Sequence, residues 1–502
     1  MKKLLSELCV DINVLSKRGP DPEIAGIFYD SRRVCPGSLF VATDGIHTDG
    51  HEYIGSAQER GAVAILHSKD LSTYEEGVAY IKTENPRLDL SPLAAAFYDH
   101  PGDRMKIIGV TGTDGKTSTV FLIHQLLQLA GLKSGFLSTA TYQAGGGIEK
   151  NPYRQSTPEA PEVQELLSEM AGAGCEYGVI ESTSHGLSPL TGRLSDVNFK
   201  AGVFTNITHE HLEFHGTFEN YRKDKSRLFE KAGSGHPPGF SILNRDDPSW
   251  EYMKGASGPH VFTYSKTNEK ADIFCTEIRA DQEGSDIRLK GLDLDAPVRL
   301  NIPGSFSVEN TMAALLTVHH ITGKSYQELL PLLPKLSGVK GRMKMVDRGQ
   351  PFTVIVDYAH TPGAFEKLLP SVKETTPGRV IAVFGSAGER DKVKRPMQGE
   401  IAGRWCDILV LTDEDPRGDD SMSILKDIGA GCKKTEGEDL FLISSRPEAF
   451  DKAFSIARKG DTVLLLGKGH ETSIIYEKGS IPWDEEETAK ERLALLGYKE
   501  KK

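Results

Sequence analysis

Residues 106–130 constrain the fold more than any other stretch of the chain. Lys106-Ile-Ile-Gly-Val110 is a short apolar run without alternation, the pattern of a strand buried on both faces of a parallel sheet. It runs into Gly109-Val-Thr-Gly112-Thr113-Asp114-Gly115-Lys116-Thr117-Ser118, and the spacing predicts a helix from about Lys116 to Ala130, stopped by Gly131. Small residues let backbone N–H groups approach phosphate oxygens. The helix N-terminus adds its positive end, Lys116 a point charge, and the Thr117 hydroxyl can reach Mg²⁺. Strand, Gly-Lys-Thr and helix together favour a nucleoside triphosphate over a tight turn with an exposed lysine. The strict loop has Gly six residues before its lysine; here that residue is Val110, so the loop is a shorter variant.

Runs of the same kind recur at Tyr177–Ile180, Ala201–Phe204 and Phe240–Leu243. After Ser337-Gly338 they become regular, at Thr353–Val356, Val380–Phe384, Ile408–Leu411, Leu440–Ile443 and Thr462–Leu466, alternating with helix-length segments. That alternation predicts a doubly wound α/β domain. A chain of 502 residues is long enough for about three domains at roughly 150 residues each. Texture divides it into 1–104, 105–338 and 339–502, with Pro101-Gly102 read as the first linker.

Charge removes one class of partner. Sixty Lys and Arg against 71 Asp and Glu leave a net charge of −11, the reverse of a chain that lives on nucleic-acid phosphates. The six cysteines show no C-x-x-C spacing and read as free thiols of a reducing compartment. Met-Lys-Lys-Leu-Leu begins like a signal peptide, but Glu7 and Asp11 interrupt it, and no apolar run approaches the ~18 residues a membrane span needs. A cytoplasmic chain acting on small molecules, away from membranes and nucleic acid, is expected; a monomer is the simplest state.

Thr-Gly-Thr-Asp-Gly-Lys-Thr resembles the nucleotide loop of the Mur ligases, ATP-dependent amide-bond enzymes of peptidoglycan precursor synthesis, and of the related folylpolyglutamate synthetases. Activating a carboxylate with ATP needs magnesium ligands at strand ends, and Glu181 stands at one. Glu181-Ser-Thr-Ser184-His185-Gly-Leu187 resembles the family segment whose glutamate binds magnesium and whose second serine meets the substrate. Thr205-Asn206-Ile-Thr-His209-Glu210-His211-Leu-Glu213-Phe-His215-Gly216 matches a family pattern with glutamates in place of two aspartates. The resemblance makes His211 a second magnesium ligand and leaves His209 and His215 as local hydrogen-bonding groups. A zinc reading of His211 and His215 fails on the placement of the glutamate. Lys225 matches the carbamylated lysine, whose N6-carboxylate, derived from CO₂, bridges metal; Lys223 is second choice. Asn310 falls at the adenine, and Gly341-Arg342-Met343 and Asp357-Tyr-Ala-His360 match further landmarks that place Arg342 among the ATP contacts.

The N-terminal region selects the branch. Tyr29-Asp30-Ser31-Arg32 with Gly37-Ser-Leu-Phe40 is similar to the UDP-binding domain of the branch that adds the third peptide residue. The resemblance then implies a UDP-MurNAc-dipeptide site at Ser31, Gln155, Ser156, Thr157, Ser184 and Arg193, though the segment before Arg193 is two residues longer than usual. It implies an amino-acid site at Arg390, Glu414, Asp415, Pro416, Arg417, Gly467 and Glu471. The implied architecture is an N-terminal UDP-binding domain, a central P-loop-type ATPase domain and a C-terminal Rossmann-like domain. The implied reaction joins a diamino acid to the D-Glu of UDP-MurNAc-L-Ala-D-Glu. Lys116, Glu181, His211 and Lys225 are its catalytic set, with Thr117, Glu181, His211 and Lys225 on magnesium. Where diaminopimelate enzymes carry Asp-Asn-Pro-Arg, this chain has Glu414-Asp-Pro-Arg417. Added negative charge favours a distal ammonium, while Arg417 keeps a fork for a distal carboxylate, so lysine, ornithine and meso-diaminopimelate all stay open. A folylpolyglutamate-type ligase and a non-catalytic UDP-sugar or ATP binder are the alternatives.

Overall fold

The computed structural model describes residues 1–499 except 46, 47, 154, 209–211, 282, 293 and 305. The chain divides into two compact units, Met1–Phe274 with Glu309–Leu332, and Cys275–Val308 with Leu333–Lys502.

The first unit holds two large sheets and a two-stranded one, Lys3–Leu4 with Glu23–Ile24. The smaller of the two large sheets has the order Ser16–Arg18, Ala79–Lys82, Ala62–His67, Ser38–Val41, Gly26–Phe28, parallel except for the first pair. Helix Pro86–Phe97 is started by Asn85, whose side chain accepts from Leu88 N, and by Pro86 in its first turn. It lays Leu90, Leu93 and Phe97 into the core formed with Leu39, Val41, Ala64 and Leu66. Pro101 and Gly102, read above as a linker, are buried in a 3₁₀ turn, Pro101–Arg104.

The larger sheet of this unit has a parallel body running, in spatial order, Ser134–Leu137, Tyr177–Glu181, Lys106–Thr111, Phe199–Phe204, Phe240–Asn244 and His260–Ser265, and Thr141–Gln143 and Glu149–Lys150 extend its first edge antiparallel. The strands of that body are apolar on both faces because helices cover both; Ile107, Ile108 and Val110 are fully buried. The Lys106–Thr111 strand lies between Tyr177–Glu181 and Phe199–Phe204, so the chain passes from one side of it to the other between those two strands. The carboxyl ends of such strands are the usual ligand position in open α/β sheets.

In the second unit the sheet order is Lys344–Met345, Thr353–Asp357, Thr462–Leu466, Val380–Phe384, Ile408–Leu411, Leu440–Leu442, parallel apart from the first pair. Alternate residues of one strand face opposite layers. Val380, Ala382 and Phe384 join helices Pro362–Thr375, Lys394–Trp405 and Ser421–Gly429. Ile381 and Val383 join Arg446–Ile456 and Glu485–Leu495. Each fully buried Leu or Phe in these layers contributes roughly 1.5–3 kcal/mol. The fold is the doubly wound α/β architecture expected. Antiparallel hairpins were not anticipated, among them Ser285–Gly291 with Leu294–Leu300 and Ser473–Tyr476 with Gly479–Pro482. Among the described residues, no helix is long and apolar enough to cross a membrane.

Candidate active site

The phosphate loop leaves the buried Lys106–Thr111 strand and enters helix Lys116–Leu129, whose cap, Gly115, has a left-handed backbone. Gly112 cannot be replaced: its φ is +149° and a Cβ there would lie 1.9 Å from Thr205 Oγ1. The loop is held from below by the next strand's exit. Thr113 N donates to Asn206 O at 2.7 Å, Asp114 N to Asn206 Oδ1 at 3.1 Å, and Thr205 Oγ1 to Asp114 O at 2.6 Å. Lys116 folds its ammonium back onto the carbonyls of Gly112 (3.1 Å) and Thr113 (2.7 Å). Ser118 occupies the first turn of the helix, while Asn310 accepts from Thr119 Oγ1 at 3.2 Å, which brings it to the loop's underside.

Glu181 ends its strand at the same carboxyl edge and is 2% exposed. Oε2 accepts from Thr117 Oγ1 (2.9 Å) and Thr139 N (2.9 Å), and Oε1 from Thr139 Oγ1 (2.9 Å). A carboxylate and a hydroxyl in contact form a hard oxygen donor set, which suits Mg²⁺. Lys225, on helix Phe218–Ser234, is fully enclosed, donates from Nζ to Gly112 O at 2.6 Å and lies 4.5 Å from the Tyr221 ring centroid. Lys223 is exposed. An ammonium offers only donors, so Lys225 could ligate a metal only after carbamylation. His211, together with His209 and Glu210, lies outside the described residues. Thr139 and Tyr221, whose hydroxyl meets Thr113 Oγ1 at 3.1 Å, were given no role by the sequence reading; Thr139 stands in no distinctive motif, and Tyr221 opens the segment that carries Lys225.

The residues expected at the UDP-linked substrate form a partly connected set. Thr157 Oγ1 donates to Glu181 O at 2.8 Å, and its carbonyl receives Arg193 Nη1 at 3.1 Å. Arg193 Nη2 also pairs with Glu159 at 2.8 Å, and the guanidinium is buried. Ser184 begins helix Ser184–Leu187 and is bonded to His215, not to Thr157 or Arg193. Gln155 is exposed and Ser156 half-buried. Ser31 begins the 3₁₀ turn Ser31–Arg33, capped by Asp30, which accepts from Arg32 N.

In the second unit the expected amino-acid residues gather at the carboxyl ends of the sheet. The loop after Phe384 touches Glu414–Arg417 by backbone: Gly388 N donates to Asp415 O at 2.8 Å, and a Cβ on Gly388 would lie 1.9 Å from Pro416 O. Arg390 sits on this loop, exposed. Asp415 is committed to the fold. Its Oδ1 accepts from the fully buried Lys468 Nζ at 2.8 Å and from Ile475 N at 2.9 Å. Lys468 also bonds Glu471, whose Oε1 takes the Tyr358 hydroxyl at 3.2 Å.

Glu414 differs: it is buried beside Gly467, its Oε2 has no partner, and burial pushes its carboxyl up to about 7 against the pull of Lys394 and Lys468. Arg417 has a left-handed backbone (φ 53°) and a buried Nε without partner. Strain at a non-glycine residue of this kind concentrates at functional sites. Arg342 also belongs to this unit, its guanidinium 4.7 Å above the Tyr358 ring, with Nε unpartnered. Lys468 stands in the run Gly467-Lys468-Gly469-His470-Glu471 and was given no role of its own, because one of its two acid partners, Asp415, lies 53 residues away.

Comparison with known proteins follows this geometry. Residues 23–98 match the catalytic domain of the Mur ligase family, 110–318 the Mur ligase middle domain, and 341–469 the Mur ligase glutamate ligase domain. The UDP-N-acetylmuramyl-tripeptide synthetase of Roseiflexus sp. (strain RS-1) is 49% identical, over 95% of this chain and 96% of that protein. The UDP-N-acetylmuramoyl-L-alanyl-D-glutamate--2,6-diaminopimelate ligase of Caldanaerobacter subterraneus subsp. tengcongensis is 37% identical, over 95% and 96%. A solved structure of an enzyme with that same name aligns at 27% identity with a TM-score of 0.69, over 99% of this chain and all of the other. The chain therefore belongs to the Mur ligase family, the ATP-dependent ligases of peptidoglycan synthesis.

Proposed function

We propose that the chain adds a diamino acid to the D-Glu carboxylate of UDP-MurNAc-L-Ala-D-Glu, through an acyl phosphate, with release of ADP and phosphate. The observation that carries this reading is the contact of Thr117 with Glu181 at the mouth of the phosphate loop. In this reading three domains, 1–104, 105–338 and 339–502, hold the UDP-sugar, ATP and the amino acid, and the enzyme works as a cytoplasmic monomer.

Lys116 leaves the loop carbonyls for the ATP phosphates, which Gly112–Ser118 cradle, with Asn310 and Arg342 as further contacts of the nucleotide. Thr117, Glu181, His211 and carbamylated Lys225 would hold Mg²⁺, which neutralises crowded anions and polarises the transferring phosphoryl group. Ser31, Gln155, Ser156, Thr157, Ser184 and Arg193 orient the UDP-linked dipeptide. Its carboxylate oxygen attacks the γ-phosphorus and the bond to ADP breaks, leaving the acyl phosphate. The amine of the second substrate, its α-carboxylate near Arg390, Gly467 and Glu471, attacks the acyl carbon. The tetrahedral intermediate expels phosphate and the nitrogen gives up a proton.

The orphan Oε2 of Glu414 supports lysine or ornithine, because a distal ammonium would satisfy it. The unpartnered Nε of Arg417 favours meso-diaminopimelate as the second reading. Phosphate release in bicarbonate buffer with ATP, Mg²⁺ and the UDP-dipeptide, adding lysine, ornithine or meso-diaminopimelate separately, tests both. Turnover with lysine or ornithine and not the diacid supports the first, and the reverse order the second. Silence with all three overturns the ligase reading.

A further inference from the structure

Ser184 is the end of a buried relay. Its Oγ lies 3.0 Å from Nε2 of His215, and Nδ1 of the same ring lies 3.0 Å from Oδ2 of Asp224. The other carboxylate oxygen of Asp224 accepts from Arg227 Nε at 3.2 Å. Ser184, His215 and Asp224 are 1%, 6% and 9% exposed. The imidazole is boxed between the rings of His185, Phe214 and Tyr221, with centroids 5.3, 4.7 and 5.2 Å away. Its orientation is thus fixed by packing as well as by hydrogen bonds.

The direction of the hydrogen bonds follows from what each group can offer. Asp224 as a carboxylate has only lone pairs, so the neutral ring carries its proton on Nδ1 and presents a lone pair at Nε2. The proton between Nε2 and Ser184 is then the hydroxyl's own. Ser184 donates to the ring, and its oxygen lone pairs are left for another donor.

We propose that His215 and Asp224 are positioning residues that fix Ser184 as a hydrogen-bond acceptor for a peptide N–H of the UDP-linked dipeptide. The inference rests on the reading of Ser184 as a contact of that substrate. The relay resembles the part of a serine-hydrolase triad that sets the tautomer, with the serine used to orient and not to attack. A serine free to rotate would offer donor and acceptor alternately. Here one role is imposed, and the peptide arm is held in one register before its carboxylate meets phosphate.

A double-mutant cycle read through KM tests this, with the melting curve as a control for folding. Ser184→Ala removes the acceptor and raises the KM for the UDP-dipeptide about tenfold, the scale of one lost hydrogen bond, with the KM for ATP unchanged. Asp224→Asn keeps every side chain in place. With Arg227 holding the amide oxygen, the NH₂ faces Nδ1 and drives the ring proton to Nε2. Nε2 then donates to Ser184, the acceptor is lost, and a similar rise in KM follows. In the Ser184→Ala background Asp224→Asn adds nothing. If Asp224→Asn does not melt cooperatively, His215→Phe carries the same cycle and His215→Gln restores most of the affinity, because its amide oxygen can take the serine proton. An unmoved KM in Ser184→Ala overturns the reading of Ser184 itself, and the relay with it. A raised KM in Ser184→Ala together with a full additional cost from Asp224→Asn or His215→Phe leaves that reading standing and overturns the relay alone.

Discussion

Glu181 and Glu414 hold corresponding places in the two units. Each follows a buried strand of a parallel sheet, at the carboxyl edge where the expected ligand residues collect, and they are 2% and 7% exposed. Their surroundings differ. Glu181 is supplied with three donors, from Thr117 and from the backbone and hydroxyl of Thr139. Glu414 has an oxygen with none among the described residues, and burial pushes its carboxyl up to about 7 although Lys394 and Lys468 pull it down. Burial alone does not decide what an acid can do. Satisfied by local donors, it keeps its shape while a ligand comes and goes; left unsatisfied, it has an unmet demand that a ligand's cation can fill.

The largest effects belong at the satisfied end. Lys116→Ala abolishes phosphate release while the melting curve stays unchanged, because among the described residues Lys116 is tied only to the carbonyls of its own loop. Normal turnover would sink its assignment to the phosphates. Glu181→Gln is expected to lower kcat by two to three orders of magnitude, roughly what an electrostatic group at a transferring phosphoryl is worth, and to raise the Mg²⁺ concentration for half-maximal rate. If Glu181→Gln cost no more than Glu414→Gln at saturating substrates, the contrast between the two acids would be structural only.

At the unsatisfied end the expected loss is smaller and sits in binding. Glu414→Gln raises the KM for the diamino acid by roughly 10–100-fold, the worth of one charge-assisted hydrogen bond, with the KM for ATP unaffected. Its pH dependence has a definite sign. The carboxyl is protonated below about 7, so affinity for a distal ammonium rises as the pH passes upward through that value. Glu414→Gln removes that rise. Stability moves the other way. A carboxyl whose folded pKa lies above its unfolded value of 4.5 binds more protons in the folded state, so stability falls between about 4.5 and 7 and then levels off. Glu414→Gln is therefore more stable than the parent at pH 8, and that advantage shrinks towards pH 5. Melting curves at the two pH values read it directly.

How far the sequence reaches can be judged at the same two places. Strand runs such as Val380–Phe384, Ile408–Leu411 and Thr462–Leu466 are strands with those bounds, because burial on both faces leaves an unbroken apolar run. The loop from Gly112 to Lys116 was legible for a local reason: strand, turn and helix are contiguous. Hairpin Ser285–Gly291 was missed although its alternation is plain, with Ile287 and Leu289 buried and Asp286 exposed, in a region otherwise searched for unbroken runs. Pairings across long separations left no local trace. Thr139 stands 42 residues from Glu181, and Lys468 stands 53 from Asp415. Asp415 was thus read for its added charge alone, when its partner Lys468 comes from the loop after the Thr462–Leu466 strand.

The smallest effect sharpens the comparison most, because it separates an acid spent on the fold from one left for substrate. Asp415 carries the extra charge that distinguishes this chain from the Asp-Asn-Pro-Arg pattern, yet Lys468 neutralises it and Ile475 N shares the same oxygen. Asp415→Asn leaves Lys468 with Glu471 and keeps an oxygen for Ile475 N, so the hairpin Ser473–Tyr476 with Gly479–Pro482 stays docked. The expected cost is about 1–2 kcal/mol of stability, far below the ~3–5 kcal/mol for Lys468→Met, which strands buried carboxylates without a counter-charge. Preference among diamino acids should move only a few-fold in Asp415→Asn, towards meso-diaminopimelate, because the charge removed was already balanced. Competition between lysine and meso-diaminopimelate, with the products separated by mass, measures that ratio. A change of a hundredfold would mean that Asp415, and not Glu414, faces the distal end of the substrate, and that the Lys468 pair opens when the amino acid binds.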